Sequence, residues 1–286
     1  MKTILFFLSA ILLGILVYKA NGPNPHLNLT KKQLITPKKS PPVEEVISDQ
    51  DKLNLVENYL DQSGMAKNFS VPAIILEKHL KSPLLKTKFS MGDIEKLIQF
   101  FDTKLNPDTI ENFVKDELYK KFEISELKEL NQIYEQDLMK KLRSIEEYYS
   151  SDDAMEKAEL FFQDNENLNN TKGRIKLLDQ LITAQEADYT AKELTLESIK
   201  GLHRGLKRFL PEQKRVPDNK ADLAIKIIEN TPAANFKNTL LFRYQYLYQD
   251  LSEIELKNLI ELSNNKLMRK ARQASMAGIK LAFLTI

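Results

Sequence analysis

The chain has 286 residues, 42% of them apolar and 29% charged, with eight glycines and no cysteine. That length suits a pair of domains of about 100–130 residues better than one small core. Without Cys there are no disulfides, thiolate metal sites, thiol nucleophiles or Cys acylation, and a net charge of +2 is too small to argue for a nucleic-acid partner.

The chain opens on a continuous apolar run, Ile4 to Tyr18, between Lys2 and Lys19. Fifteen helical residues reach about 22 Å, short of the roughly 30 Å hydrocarbon core. The segment 1–20 therefore reads as a signal peptide or a signal anchor, and both readings stay open. Tyr18 stands where a small residue is expected before a cleavage site at Ala20, whereas snorkelling lysines would lengthen a retained span. Lys31, Lys32, Lys38 and Lys39 put more positive charge after the run than before it, against the positive-inside preference. Its place at the extreme N-terminus still makes a periplasmic or secreted body, with a possible inner-membrane tether, the expectation. Residues 21–48, with Pro23, Pro25, Pro37, Pro41 and Pro42 among Lys and Asn, read as a disordered Pro/Lys-rich tether.

Beyond the tether the pattern is helical. Ser48 and Asp51 open a helix that Gly64 ends, Pro72 starts one running to about Leu80 with Pro83 as its stop, and Asn106-Pro107-Asp108 is a cap, a first-turn proline and a favourable charge. Ser125 is expected to cap a long helix whose stripe is Leu127, Leu130, Tyr134, Leu138, Leu142, Ile145 and Tyr149. No stretch alternates with period two between hairpin turns, so the fold class is all-α.

Self-similarity organises the rest. Phe113, Leu118-Tyr119, Glu126-Leu127-Lys128, Leu130 and Leu138-Met139-Lys140-Lys141 recur as Phe242, Leu247-Tyr248, Glu255-Leu256-Lys257, Leu259 and Leu267-Met268-Arg269-Lys270, each 129 residues later. Leu53–Leu60 and Ile175–Ile182 resemble one another at an offset of 122. We read two tandem, divergent helical modules, 49–150 and 171–286, packed as an irregular bundle and joined by an acidic linker, 151–170. In the second copy Ser252 and Glu255 form a capping box, and the stripe is Leu256, Leu259, Leu267, Ala271 and Ala274. Ala and Gly278 let another helix approach closely, so that end is expected to pack on the apolar tail from Ile279 to Ile286.

The helix openings Glu126-Leu127-Lys128-Glu129-Leu130 and Glu255-Leu256-Lys257-Asn258-Leu259 resemble a group of bacterial secreted helical domains of unknown function, which continue as E-L-x-x-L-x-x-F-Y-x-S-P-x-G. The continuation is missing here: Tyr134 stands alone in one copy and Ser263-Asn264-Asn265 replaces it in the other. The resemblance covers about 30 residues per copy. It implies an exported helical domain and no assigned reaction.

Catalytic patterns are few. His26, His79 and His203 form no metal-binding pair, and Ser125-x-x-Lys128 lacks the companion motifs of penicillin-recognising enzymes. No catalytic residues, metal or cofactor are expected. The charge pattern says more. Residues 146–166 hold eight acids and one lysine, and residues 200–220 hold seven Lys or Arg against Glu212 and Asp218. Lys200, His203, Arg204, Lys207 and Arg208, with Lys214 and Arg215 beyond, form a basic face that would hold an anionic partner, stay solvated, or dock on the acidic segment. Lys266, Arg269, Lys270 and Arg272 form a second basic stretch with no neighbouring acid. The expected function is non-catalytic binding of a protein or an anionic envelope component. A hydrolase with an unrecognised site and a membrane-anchored cytoplasmic interaction protein are the alternatives.

Overall fold

The structure, a computed structural model, describes residues 48–81, 90–149, 171–210, 212, 215 and 218–286. The apolar leader, the tether before Ser48, Pro83, the acidic linker and Lys214 lie outside the described residues. Those described form twelve α-helices, one 3-10 turn and no strand, so the protein is all-α. The first half contributes α1 (Asp49–Gln62), the 3-10 turn (Met65–Asn68), α2 (Val71–Leu80), α3 (Met91–Lys104), α4 (Pro107–Lys121), α5 (Ile124–Tyr134) and α6 (Asp137–Tyr149). The second half contributes α7 (Lys172–Ala184), α8 (Ala187–Phe209), α9 (Asp218–Asn230), α10 (Ala234–Leu247), α11 (Glu253–Ser263) and α12 (Lys266–Leu284).

Short polar side chains start six of these twelve helices by taking up orphan amides. Ser48 Oγ accepts from the Asp51 amide at 3.3 Å while Asp51 accepts from the Ser48 amide at 3.0 Å. Asn106 Oδ1 accepts from Thr109 at 2.6 Å ahead of Pro107, and Thr171 Oγ accepts from Arg174 at 3.1 Å. Gly64 leaves α1 in a left-handed conformation, φ 68°, which a residue without Cβ adopts at no steric cost.

Three expectations are corrected. The long helix expected from Ser125 is two helices, broken after Tyr134; its counterpart is broken after Ser263, where Asn265 Oδ1 accepts from Leu267 at 2.7 Å and restarts the chain as α12. The cap position of α5 is Glu123, with Ser125 exposed in the first turn. The break escapes the periodicity because it keeps the phase. Leu127, Leu130, Leu142 and Ile145, and likewise Leu256, Leu259, Leu267, Ala271 and Ala274, are all buried. Lastly, residues from Ile279 onward do not fold back on Gly278, because they continue α12.

Gly278 instead lies against the backbone of α4. A Cβ there would sit 2.6 Å from Val114 Cα and 2.7 Å from Val114 N, inside any permitted contact. This crossing of α4 and α12 is the most extensive helix pair in the fold, and it joins the two halves. One packing pattern occurs in both halves: α1 packs on α5 and α4, while α7 packs on α11 and α10. They also exchange ion pairs. Lys141 of α6 reaches Glu255 of α11 at 2.6 Å, and Lys270 of α12 reaches Glu126 of α5 at 2.5 Å. These two bridges join positions that are 129 residues apart on both sides. The glutamates are the ones that accept from the Ser252 and Glu123 amides at 2.8 and 2.9 Å, so each bridge ties a helix start of one half to the other half. The α2–α3 pair and α9 both lie against α8, outside this central arrangement.

The Gly278 contact has a testable sign. Helix propensity alone makes Gly278→Ala stabilising by about 1 kcal/mol, whereas the backbone clash makes it destabilising by about 1–3 kcal/mol. Denaturant unfolding of the variant is expected to show a net loss; a gain would mean that α4 and α12 do not approach this closely.

Candidate functional site: a cavity between the two halves

The reciprocal packing leaves a cavity of about 430 Å³ where the halves meet. Its walls come from the end of α1 and from α5 and α6 on one side, and from α8, α10, α11 and α12 on the other. The lining is mostly apolar, and it includes Met65, Met139, Met268 and Met276. Residues at matching places in the two halves face it together. Met139 and Met268, and Arg143 and Arg272, are each separated by 129 residues, as are Tyr134 and Ser263, and Glu146 and Ser275.

The two arginines do different things. Arg143 is engaged by carboxylates, with Nε 3.3 Å from Glu147 and Nη2 3.8 Å from Asp61. Arg272 donates through Nη2 to the Ala184 and Ser263 carbonyls at 2.9 and 2.8 Å, covering the ends of α7 and α11. Its Nε is buried without a hydrogen-bond partner, and among the described residues it has no carboxylate in ion-pair range. Burial pulls its pKa below the ordinary arginine range, partly offset by Glu186.

Glu146 faces the cavity from α6, and burial pushes its carboxyl up to about 7 although the Tyr248 hydroxyl donates to it at 3.3 Å. Its surface is only partly covered, because it borders the empty space; the dense protein around it is what disfavours the charge. Tyrosines gather beside it. Tyr59 and Tyr134 meet edge to face at 5.4 Å, Tyr244 and Tyr248 at 5.0 Å, and Tyr244 donates to Gln185 Oε1 at 2.6 Å. Burial raises the pKa of all four, that of Tyr59 to about 12, so their hydroxyls stay protonated.

The basic face of α8 is spaced as the sequence suggested, and most of its described cations find partners within the chain, although Arg204 Nε is buried without an acceptor. Lys200 lies 3.6 Å from Glu197 and 3.5 Å from Glu229. His203 and Lys207 share Asp218, at 3.2 and 2.9 Å, and the hydrogen bond from Lys207 holds that carboxyl below its usual range. Arg204 donates to the Phe283 carbonyl at 2.9 Å, Arg208 stacks over the Phe100 ring at 5.5 Å, and Arg215 donates to the Leu210 carbonyl at 2.8 Å. Among the described residues the acids that pair here belong to α8 itself and to α9; the acidic linker lies outside them. The second basic stretch is likewise dispersed: Arg269 approaches Glu186 at 3.6 Å, Lys270 crosses to Glu126, and only Arg272 enters the cavity.

Composition and motif patterns did not reveal the cavity, since its residues come from scattered segments of the chain. One signal was available: extending the 129-residue offset by two residues beyond Lys141 and Lys270 pairs Arg143 with Arg272. Among the described residues no group of His, Asp and Glu is placed to hold a metal ion, and no helix is long and apolar enough to cross a membrane. Comparison with family models, with curated proteins and with solved structures returns no match to the chain.

Glu146 gives stability a definite pH dependence. Its folded pKa of about 7 exceeds the ordinary 4.5, so its contribution is complete below about pH 4.5 and is lost as pH rises through about 7, amounting to up to about 3 kcal/mol. Glu146→Gln is expected to unfold with nearly equal stability at pH 5 and pH 8, while the parent chain weakens over that interval. Parallel pH profiles for the two would show that Glu146 is not the group responsible.

Proposed function

We propose that the chain is a non-catalytic binding protein of the cell envelope, exported or tethered through its apolar leader, and that it takes a small apolar molecule into the cavity between its halves. The single observation that carries the reading is the cavity itself. A space of about 430 Å³ with mainly apolar walls and a few convergent polar groups falls in the range of ligand sites, roughly 300–1,000 Å³. Its tyrosine hydroxyls are held in the protonated form, which suits hydrogen bonding to a held ligand. The basic face of α8 supports a partner less well, since Asp218, Glu229 and backbone carbonyls already occupy its cations.

We further infer that the two halves descend from one duplicated helical module. The paired ion bridges Lys141–Glu255 and Lys270–Glu126 support this, as does the shared packing of α1 with α5 and of α7 with α11. On this reading the cavity marks the former twofold axis, where divergence of Glu146 from Ser275 and of Tyr134 from Ser263 made an asymmetric seat out of two equivalent walls.

Binding of the uncharged dye Nile red to the purified chain tests the cavity. Saturable binding at one site is expected, with affinity falling at least about tenfold in Ala191→Trp, which places a large side chain where Ala191 lines the wall. Thermal unfolding of that variant checks that it is folded. Unsaturable binding, or unchanged binding to a folded Ala191→Trp, would refute the reading. Hydrolysis of an ester panel that Glu146→Gln abolishes would make the protein an enzyme instead.

A further inference from the structure

This inference rests on the cavity being a ligand seat. We propose that the ligand is a flexible apolar molecule ending in a single carboxylate, whose head group pairs with Arg272. The guanidinium lines a mainly apolar space, with Nη2 committed to two helix-end carbonyls and, among the described residues, no carboxylate in ion-pair range; Nε itself is sealed inside the protein, so the exposed part of the guanidinium is what a ligand meets. Arg272 is partly buried, with only the more distant charge of Glu186 to offset it, and a partly desolvated cation gains by binding an anion directly. Arg143, the other lining cation, already has Glu147 and Asp61. The head group is therefore assigned to one arginine and one negative charge, and the polarity of the site is fixed by the half that kept its guanidinium free of carboxylates.

The rest of the wall specifies the body of the ligand. Met139, Met268 and Met276 line it with Leu142, Leu194 and Ile279. Methionine side chains adapt to irregular shapes, so such a wall receives an unbranched, bendable chain better than a rigid ring system. Glu146 argues against a cationic head group. It already accepts the Tyr248 hydroxyl, and burial favours its neutral form, whereas arginine stays charged at physiological pH.

Isothermal titration of the full chain with decanoate, decanol and decylamine tests the assignment, with Nile red displacement reporting on the cavity separately. Decanoate is expected to bind about tenfold or more tighter than decanol, and decylamine weakest. Arg272→Gln should abolish the preference for decanoate over decanol, and Arg272→Lys should restore part of it. If Nile red binds but decanoate is no better than decanol, the acid assignment is wrong while the cavity reading stands. Tightest binding of decylamine would move the head group to Glu146 and overturn the proposal. If Nile red itself does not bind, the underlying reading fails first.

Discussion

The close crossing of α4 and α12 sets the geometry of the junction between the two halves. Gly278 brings the two backbones within van der Waals distance, and a helix from each half is thereby locked into the body of the other. With α12 held on α4, Lys270 is carried to Glu126, while α6 meets α10 and brings Lys141 to Glu255. Surface ion pairs of this kind add little stability, typically below about 1 kcal/mol each. Their value here is in register, because each bridge ends on a carboxylate that also anchors the amide at a helix start. Burial of Val114, Leu118, Ala274, Ala282 and Phe283 in one shared core provides the larger driving force.

That arrangement also explains why a cavity exists. Where two similar walls meet across their junction, large side chains at matching positions would collide, and small ones would leave a gap. At this junction Tyr134 and Glu146 on one wall are matched by Ser263 and Ser275 on the other. The small members leave space, and the large members furnish it with hydroxyl and carboxyl groups. Arg272 is drawn in to satisfy the carbonyls ending α7 and α11, and its charge comes with it. The chemistry of the site thus originates in helix-end hydrogen bonding that the fold requires anyway.

Local features were legible in the sequence because their physics is local. The caps at Ser48, Asn106 and Ser252 and the left-handed exit at Gly64 depend on residues within a few positions; at Gly278 the missing Cβ pointed to a close approach, but not to α4, far away in sequence, as the partner in place of the tail from Ile279. The buried stripes were legible too, since periodicity survives the breaks at Glu135-Gln136 and Asn264-Asn265. For the same reason the breaks themselves were not. The helical spacing of the basic residues on α8 was readable, but the pairing of Lys200, His203 and Lys207 with Glu229 and Asp218 depends on how α9 docks, which no periodicity encodes. The cavity was least legible, because its residues are scattered and mostly ordinary core types; only the repeat offset linking Arg143 to Arg272 pointed to it.

A cysteine-free chain allows a direct test of the reciprocal junction. Cysteine pairs placed at Lys141 and Glu255, and separately at Lys270 and Glu126, can be treated with a short bis-maleimide and the digested protein read by mass spectrometry. Both pairs should cross-link within one molecule, at dilution and with similar yield. Failure of either pair, or cross-linking only between molecules, would contradict the packing that creates the cavity and places Arg272 at its edge.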